Sequence, residues 1–263
     1  MFEAFRLNKT EATGIVQWML NSAWPSLYWQ LYDYYKVPVP AYYGVKKANE
    51  PLQMIYNYGD NAIYAVNDTR QSKDVVATVE IYDLASKLLS KKQYPATLVA
   101  NGVQQICTID QSAPNSFVFL SLHDQSGLLL SGNSYCLSAK QDIYDWDKTT
   151  WVGTPIKDYA DFTALDNIAQ SSLKSTIVSR SENSLDLELE NTSSSIAFFT
   201  QCLVKDKAGD VVYPIFWSDN YISILPGQKK ILKCFFDKKE VSSHPQSIQI
   251  SGWNVDSTVM PIK

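Results

Sequence analysis

Apolar and polar positions follow three different patterns along the chain. Phe2, Phe5 and Ala12 fall at helix-like spacing and the segment stops at Thr13 and Gly14, which predicts a short N-terminal helix. Residues 15–20 are almost continuously apolar, as in a strand buried on both faces of a parallel sheet. Residues 21–35 are interrupted by Pro25, and Pro38 and Pro40 then mark an irregular loop. From Pro51 the pattern changes to short alternating runs at 52–58, 62–66, 75–82, 104–109, 117–122 and 128–137. Turn residues such as Asn101 with Gly102 and Ser126 with Gly127 separate some of them. Strands recurring about every ten residues indicate an antiparallel β-sandwich.

Residues 139–171 break that rhythm with Trp146, Trp151, Pro155 and a stretch at 159–165 suited to a helical turn or two. They read as an ordered linker whose aromatic side chains are expected to be covered. A second strand series follows, in which Leu185, Leu187 and Leu189 alternate with Asp186, Glu188 and Glu190. It continues through 196–204, 211–216, 221–225, 229–236 and 247–250, with turns at 208–210 and at Pro226 and Gly227. No sequence repeat relates the two series strongly enough to identify a duplication. A helix, one buried strand and a loop do not close a core of their own, so the first 48 residues need something to pack against.

Composition narrows the function. The 263 residues are 45% hydrophobic and 19% charged, which suits folded domains with real cores. A formal charge of −4 and basic residues grouped only in pairs, such as Lys46 with Lys47, leave no patch for nucleic acid or an anionic membrane surface. No apolar run reaches membrane-span length, and the first residues lack the basic-then-apolar pattern of an export signal. Cys107, Cys136, Cys202 and Cys234 are widely spaced and accompany only two histidines, so no metal site is expected. Buried thiols are the first reading of these cysteines, with a Cys202–Cys234 disulfide as the alternative. No Ser/His/Asp or Cys/His constellation and no glycine-rich phosphate loop is present, and no cofactor is called for. Asn8, Asn67 and Asn191 head formal glycosylation sequons, from which no compartment is drawn.

The aromatic residues are unevenly placed: from Trp18 to Tyr43 about one residue in three is Trp or Tyr. The run at 12–35 together with 40–52 resembles the end of the catalytic barrel in glycoside hydrolase family 2, in its exo-β-D-glucosaminidase and β-mannosidase branch. Further matches, in the family's order, lie at 135–138, 159–165 and 216–227. The resemblance implies a mainly β fold. Two immunoglobulin-like antiparallel sandwiches at 50–138 and 166–263 would be joined by a linker at 139–165 and preceded by the terminal remnant of a (β/α)8 barrel at 1–48. It also implies a parent enzyme, periplasmic or secreted, that releases β-linked glucosamine or mannose from non-reducing ends with retention.

Retaining glycosidases use two carboxyl groups about 5–5.5 Å apart. Near the barrel-like piece the carboxyls are Glu3, Glu11, Asp33 and Glu50. Asn49-Glu50-Pro51 mimics an acid/base motif, but it follows Lys46, Lys47 and Ala48 rather than a buried strand, so Glu50 reads as a junction carboxylate. Glu3 and Glu11 read as solvated helix residues, and Asp33 as a loop anchor. The resemblance places both catalytic glutamates on earlier strands, so no catalytic residue is expected here and the chain alone is expected to be inactive. Trp18, Asn21 and Trp24 are the candidate sugar contacts, because indole faces stack on pyranose C–H surfaces and an amide pairs with hydroxyls. The partner implied is a β-linked oligosaccharide held by the parent barrel. The exposed apolar segment 15–20 is expected either to fold back on the first sandwich or to bury against another copy. A free-standing pair of immunoglobulin-like modules binding glycan or protein is the competing reading.

Overall fold

The computed structural model describes residues 1–26, 29–111 and 113–262. Its contacts divide the chain into two compact units, Met1–Gly14 with Ala48–Ile168, and Ile15–Lys47 with Ala169–Lys263.

In the first unit a three-stranded sheet of β1 (Leu52–Asn57), β2 (Ala62–Asn67) and β5 (Gly102–Thr108) faces a four-stranded one. The latter runs in the order β4 (Leu88–Leu98), β3 (Lys73–Tyr82), β6 (Asn115–His123) and β7 (Leu129–Ser138), with every pairing antiparallel. Alternate residues from the two sheets meet in one core, Met54, Ile63 and Ala65 against Val75, Ala77, Leu120 and Leu122. Strand β4 is absent from the predicted strands because Lys91, Lys92 and Pro95 dilute its pattern. It lies at the sheet edge, where a proline costs no ladder bond.

Helix α1 (Phe2–Leu7) belongs to this unit and is held by polar contacts instead of apolar burial. Glu3, expected to be solvated, accepts hydrogen bonds from Gln53 Nε2 and Asn133 Nδ2 at 2.8 Å and from Tyr135 OH at 2.9 Å. Arg6 donates to Ala48 O and Gln53 Oε1 and pairs with Asp68 Oδ2, each at 2.7 Å, and Lys9 adds a second 2.7 Å contact to Asp68. Gln53, facing the helix from β1, is wholly buried.

In the second unit β10 (Leu173–Arg180), β11 (Ser184–Asn191), β15 (Lys229–Phe235) and β13 (Phe216–Trp217) form one antiparallel sheet. The other runs β14 (Ile222–Ile224), β12 (Ala197–Lys205), β16 (Ser247–Gly252) and β17 (Val255–Pro261). The alternation predicted for β11 is realised: Leu185, Leu187 and Leu189 are buried, while Lys229 pairs with Glu188 at 2.9 Å on the outer face. Cys202 and Cys234, from opposite sheets, share this core as thiols, and burial pushes the Cys202 thiol up to about 12. Residues 211–216, expected as a strand, are largely irregular, with one bridge from Val211 to Lys205 before β13 begins.

Two features of the N-terminal third differ from expectation. Residues 15–20 form no strand, because a strand needs flanking ladders and no strand precedes β1 among the described residues. The segment belongs to the second sandwich and not the first, so the expected fold-back onto the first is corrected. Pro40, expected to mark an irregular loop, instead opens helix α2 (Pro40–Ala48): it occupies the first helical position, where its missing N–H costs nothing. A barrel is not formed by the described residues; the two sandwiches are.

Candidate functional site

The candidate sugar contacts lie on residues 15–39, a looped segment packed on the second sandwich. Its backbone is tied by Leu31 N and Tyr32 N, both donating to Leu20 O at 3.0 Å, and by Val39 N donating to Leu31 O at 3.1 Å. Asp33 anchors the tip, its Oδ1 accepting from Val37 N at 2.9 Å. Helix α2 then docks through Lys46, which donates to Trp217 O at 3.0 Å and Ser218 O at 2.7 Å, and through a 2.9 Å Lys47–Asp219 ion pair.

The aromatic crowding resolves into two populations. Tyr32, Tyr42, Tyr43 and Tyr221 form an inner ladder with successive ring centroids 5.3, 5.0 and 5.8 Å apart. Tyr43 is 4% exposed and belongs to the core of the second sandwich. Burial raises the Tyr221 hydroxyl to about 12 and Tyr43 further, so both stay neutral at any physiological pH. Outside the ladder stand Trp18, 74% exposed, and Trp24, 68% exposed, together with Trp29, Tyr34 and Tyr35. Trp29 Nε1 donates to Trp18 O, and Gln17 Nε2 donates to Trp29 O at 3.2 Å, so these positions are coupled through the main chain.

Asn21 is exposed, bridges to Tyr32 in parallel fashion, and donates to Ser22 O at 3.2 Å. It lines a cleft of about 550 Å³ with Tyr32, Lys36, Tyr213, Phe216 and Glu240. Lys36 sits 5.5 Å above the Tyr213 ring. Trp18 and Trp24 do not line that cleft, and Asn21 does. Tyr213, Phe216 and Glu240 escaped sequence reasoning because they arrive from strands and turns about two hundred residues downstream. Gln30, close by in the chain, is buried, and its Oε1 has no hydrogen-bond partner among the described residues.

The carboxyl groups of Glu3, Asp33 and Glu50 are each held by hydrogen bonds. Glu3 and Glu50 are placed in the first sandwich, where Ser131 Oγ donates to Glu50 at 3.2 Å, and Asp33 is used in its own turn. Burial raises the Glu3 carboxyl above its ordinary 4.5, against the opposing effect of the Asn133, Tyr135 and Gln53 donors. Among the described residues no cluster of His, Cys, Asp and Glu suits a metal, and no helix is long and apolar enough to cross a membrane.

Two antiparallel sandwiches, the first holding a polar-docked helix and the second an aromatic loop, define the class: a pair of immunoglobulin-like β-sandwich domains. Residues 59–141 match the mannosidase Ig/CBM-like domain family, and residues 151–255 the exo-β-D-glucosaminidase Ig-fold domain family. The exo-β-D-glucosaminidase of Arthroderma benhamiae is 31% identical over 264 residues, 98% of this chain and 30% of the relative. That of Amycolatopsis orientalis is 33% identical over 276 residues, 99% of this chain and 27% of the relative. The crystal structure of the Amycolatopsis orientalis exo-chitosanase superposes with a TM-score of 0.89 at 33% identity, covering 99% of this chain and 32% of that one. The chain belongs to the exo-β-D-glucosaminidase and β-mannosidase branch of glycoside hydrolase family 2 and corresponds to its C-terminal region. It spans less than a third of the length of these curated relatives.

Proposed function

We propose that this chain is the C-terminal accessory region of a retaining glycosidase that removes β-linked glucosamine from non-reducing ends. The observation that carries the choice of sugar is the match of residues 151–255 to the exo-β-D-glucosaminidase Ig-fold domain, supported by relatives of that name at 31–33% identity along almost the whole chain. The catalytic carboxyls of such an enzyme lie outside this chain, so the chain by itself is inactive and its parent acts in the periplasm or outside the cell. Its contribution to substrate is the rim formed by Trp18, Asn21 and Trp24. The two indoles offer faces to sugar C–H surfaces, and Asn21 offers its amide from the mouth of the cleft.

Two measurements test this reading. The purified chain should turn over an aryl β-glucosaminide no faster than a blank, and clear turnover overturns the assigned inactivity. In the longer enzyme, Trp24→Ala and Asn21→Ala should raise KM for glucosamine oligomers severalfold, and unchanged kinetics in both remove the rim from the site.

A further inference from the structure

The linker between the strand series was expected to cover its aromatic residues, and it does the opposite. Residues 143–158 form a hairpin of β8 (Ile143–Tyr144) and β9 (Ile156–Asp158) with a 3₁₀ turn at Trp146–Lys148. Trp151 at its tip is 98% exposed, Trp146 is 71% exposed, and the Tyr144 and Trp146 rings lie 5.4 Å apart, tilted by 36°. Tyr159, just past the hairpin, is also exposed.

These rings stand on a braced base. Asp145 is buried and pairs with Lys148 at 3.3 Å and Lys157 at 3.2 Å, and its N–H donates to Pro155 O at 2.8 Å. At the tip Thr150 N donates to Gly153 O at 3.0 Å. On the flanks Gln141 donates to Tyr58 O at 3.0 Å and Asn115 to Asp161 O at 2.8 Å, tying the linker to the first sandwich.

Charge identifies the occupant. Residues 139–168 hold six aspartates against three lysines, which is −3 of the chain's formal −4. All three lysines are engaged in ion pairs, Lys140 with Asp158 and the other two with Asp145, while Asp147 and Asp166 stand exposed. Exposed indole and phenol faces combined with excess negative charge suit a ligand that is both carbohydrate and cationic, since ammonium groups are drawn to aromatic faces and to carboxylates alike. We propose that this hairpin is a binding surface for a polycationic β-linked glucosamine chain, built from other residues than Trp18, Asn21 and Trp24, with Tyr144, Trp146 and Trp151 as its stacking residues. The proposal rests on β-linked glucosamine being the parent's substrate.

The test is calorimetric titration of the purified chain with a fully deacetylated glucosamine hexamer at mildly acidic pH, with cellohexaose as the neutral β-1,4-linked control. The hexamer should bind at least about tenfold more tightly than cellohexaose and weaken with salt, as a contact built on exposed charge does. Trp146→Ala and Trp151→Ala should each weaken it about tenfold, the size of a good ring–cation contact. Trp151→Phe should retain most of the affinity. Because both hairpin indoles are exposed, circular dichroism should show each variant folded. Silence at millimolar hexamer, equal affinity for cellohexaose, or an affinity unchanged in both Trp146→Ala and Trp151→Ala overturns the surface. So does sedimentation showing a dimer that Trp151→Ala dissolves, since the rings then serve a second copy. Turnover of an aryl β-glucosaminide by the longer enzyme tests the substrate assignment separately: its persistence alongside a silent titration rejects the hairpin alone.

Discussion

Replacing Asn191 by Ala should destabilise the second sandwich selectively. Asn191 ends β11 with none of its surface exposed, and its side chain makes four close hydrogen bonds. Nδ2 donates to Ser195 O and Ile224 O at 2.8 Å, and Oδ1 accepts from Ser193 N at 3.0 Å and Ser193 Oγ at 2.6 Å. Alanine removes all four. Ser195 O keeps the hydroxyls of Ser171 and Ser193, so the loss concentrates on Ile224 O and Ser193 N. At about 1 kcal/mol net per neutral bond, and more where a buried group is left unpaired, the expected cost is about 3 kcal/mol. That is a large share of the roughly 5–15 kcal/mol that holds a domain together. With an m-value of about 2 kcal/mol/M in urea, the midpoint falls by about 1.5 M at constant m. Trp217, 4% exposed in the second sandwich, reports the transition by fluorescence, while residues 52–138 contain no Trp and are followed by circular dichroism. A midpoint shift below about 0.5 M refutes the reasoning, as does a shift confined to the dichroism transition.

The first sandwich offers a pH test: burial holds the Glu3 carboxyl above its ordinary value, so its contribution is full below about pH 4.5 and is lost as pH rises through the folded value. Burial acts in the same direction on Asp68, but Lys9 and Arg6 outweigh it and lower its pKa, so that contribution is present above pH 3.8 and is lost on acidification through the depressed value. Calorimetric Tm across that range should therefore flatten on its neutral side in Glu3→Gln and on its acid side in Asp68→Asn; unchanged profiles discard the helix-docking account. Gly252→Ala should destabilise the second sandwich by about 1–3 kcal/mol. Its Cβ would meet Phe198 O at 2.9 Å, and an unaltered urea midpoint would show that the strand yields. Trp18→Ala and Trp24→Ala should change stability by no more than about 0.5 kcal/mol, because both side chains are mostly exposed, whatever they do to KM; a large loss in thermal melts would make them packing residues.

The two sandwiches share a device invisible to sequence comparison. Asn67 ends β2 as Asn191 ends β11: its Nδ2 donates to the carbonyls of Gln71, Leu98 and Val99, and its Oδ1 accepts from Thr69 N and Oγ1. Both asparagines head the formal glycosylation sequons, and both are wholly buried pivots in which the Thr or Ser two residues on is a hydrogen-bond donor. The pattern was in the sequence, but its meaning depends on where carbonyls from distant strands converge. Strands with clean alternation, such as β11, were legible because one face is wet. Strand β4, at an edge and charged, and helix α2, opened by a proline, were hidden because position in the sheet and in the helix overrode the local signal. The apolar run at 15–20 was misread for a related reason: continuous hydrophobicity signals burial without saying whether flanking strands exist to pair with it.

The sequence by itself determined two series of antiparallel strands, the break between them, the lack of a basic patch, and the aromatic stretch that marks the family. Periodicity encodes which face of a strand is dry, and that survives without knowledge of the partner. Only the tertiary structure decided that the first 14 residues serve one sandwich and the next 33 the other, through the Glu3 and Arg6 contacts in one case and Tyr43 and Lys46 in the other. It alone separated buried tyrosines from exposed tryptophans. An aromatic side chain is equally at home in a core or on a sugar-binding face, and the choice depends on what the rest of the fold brings against it.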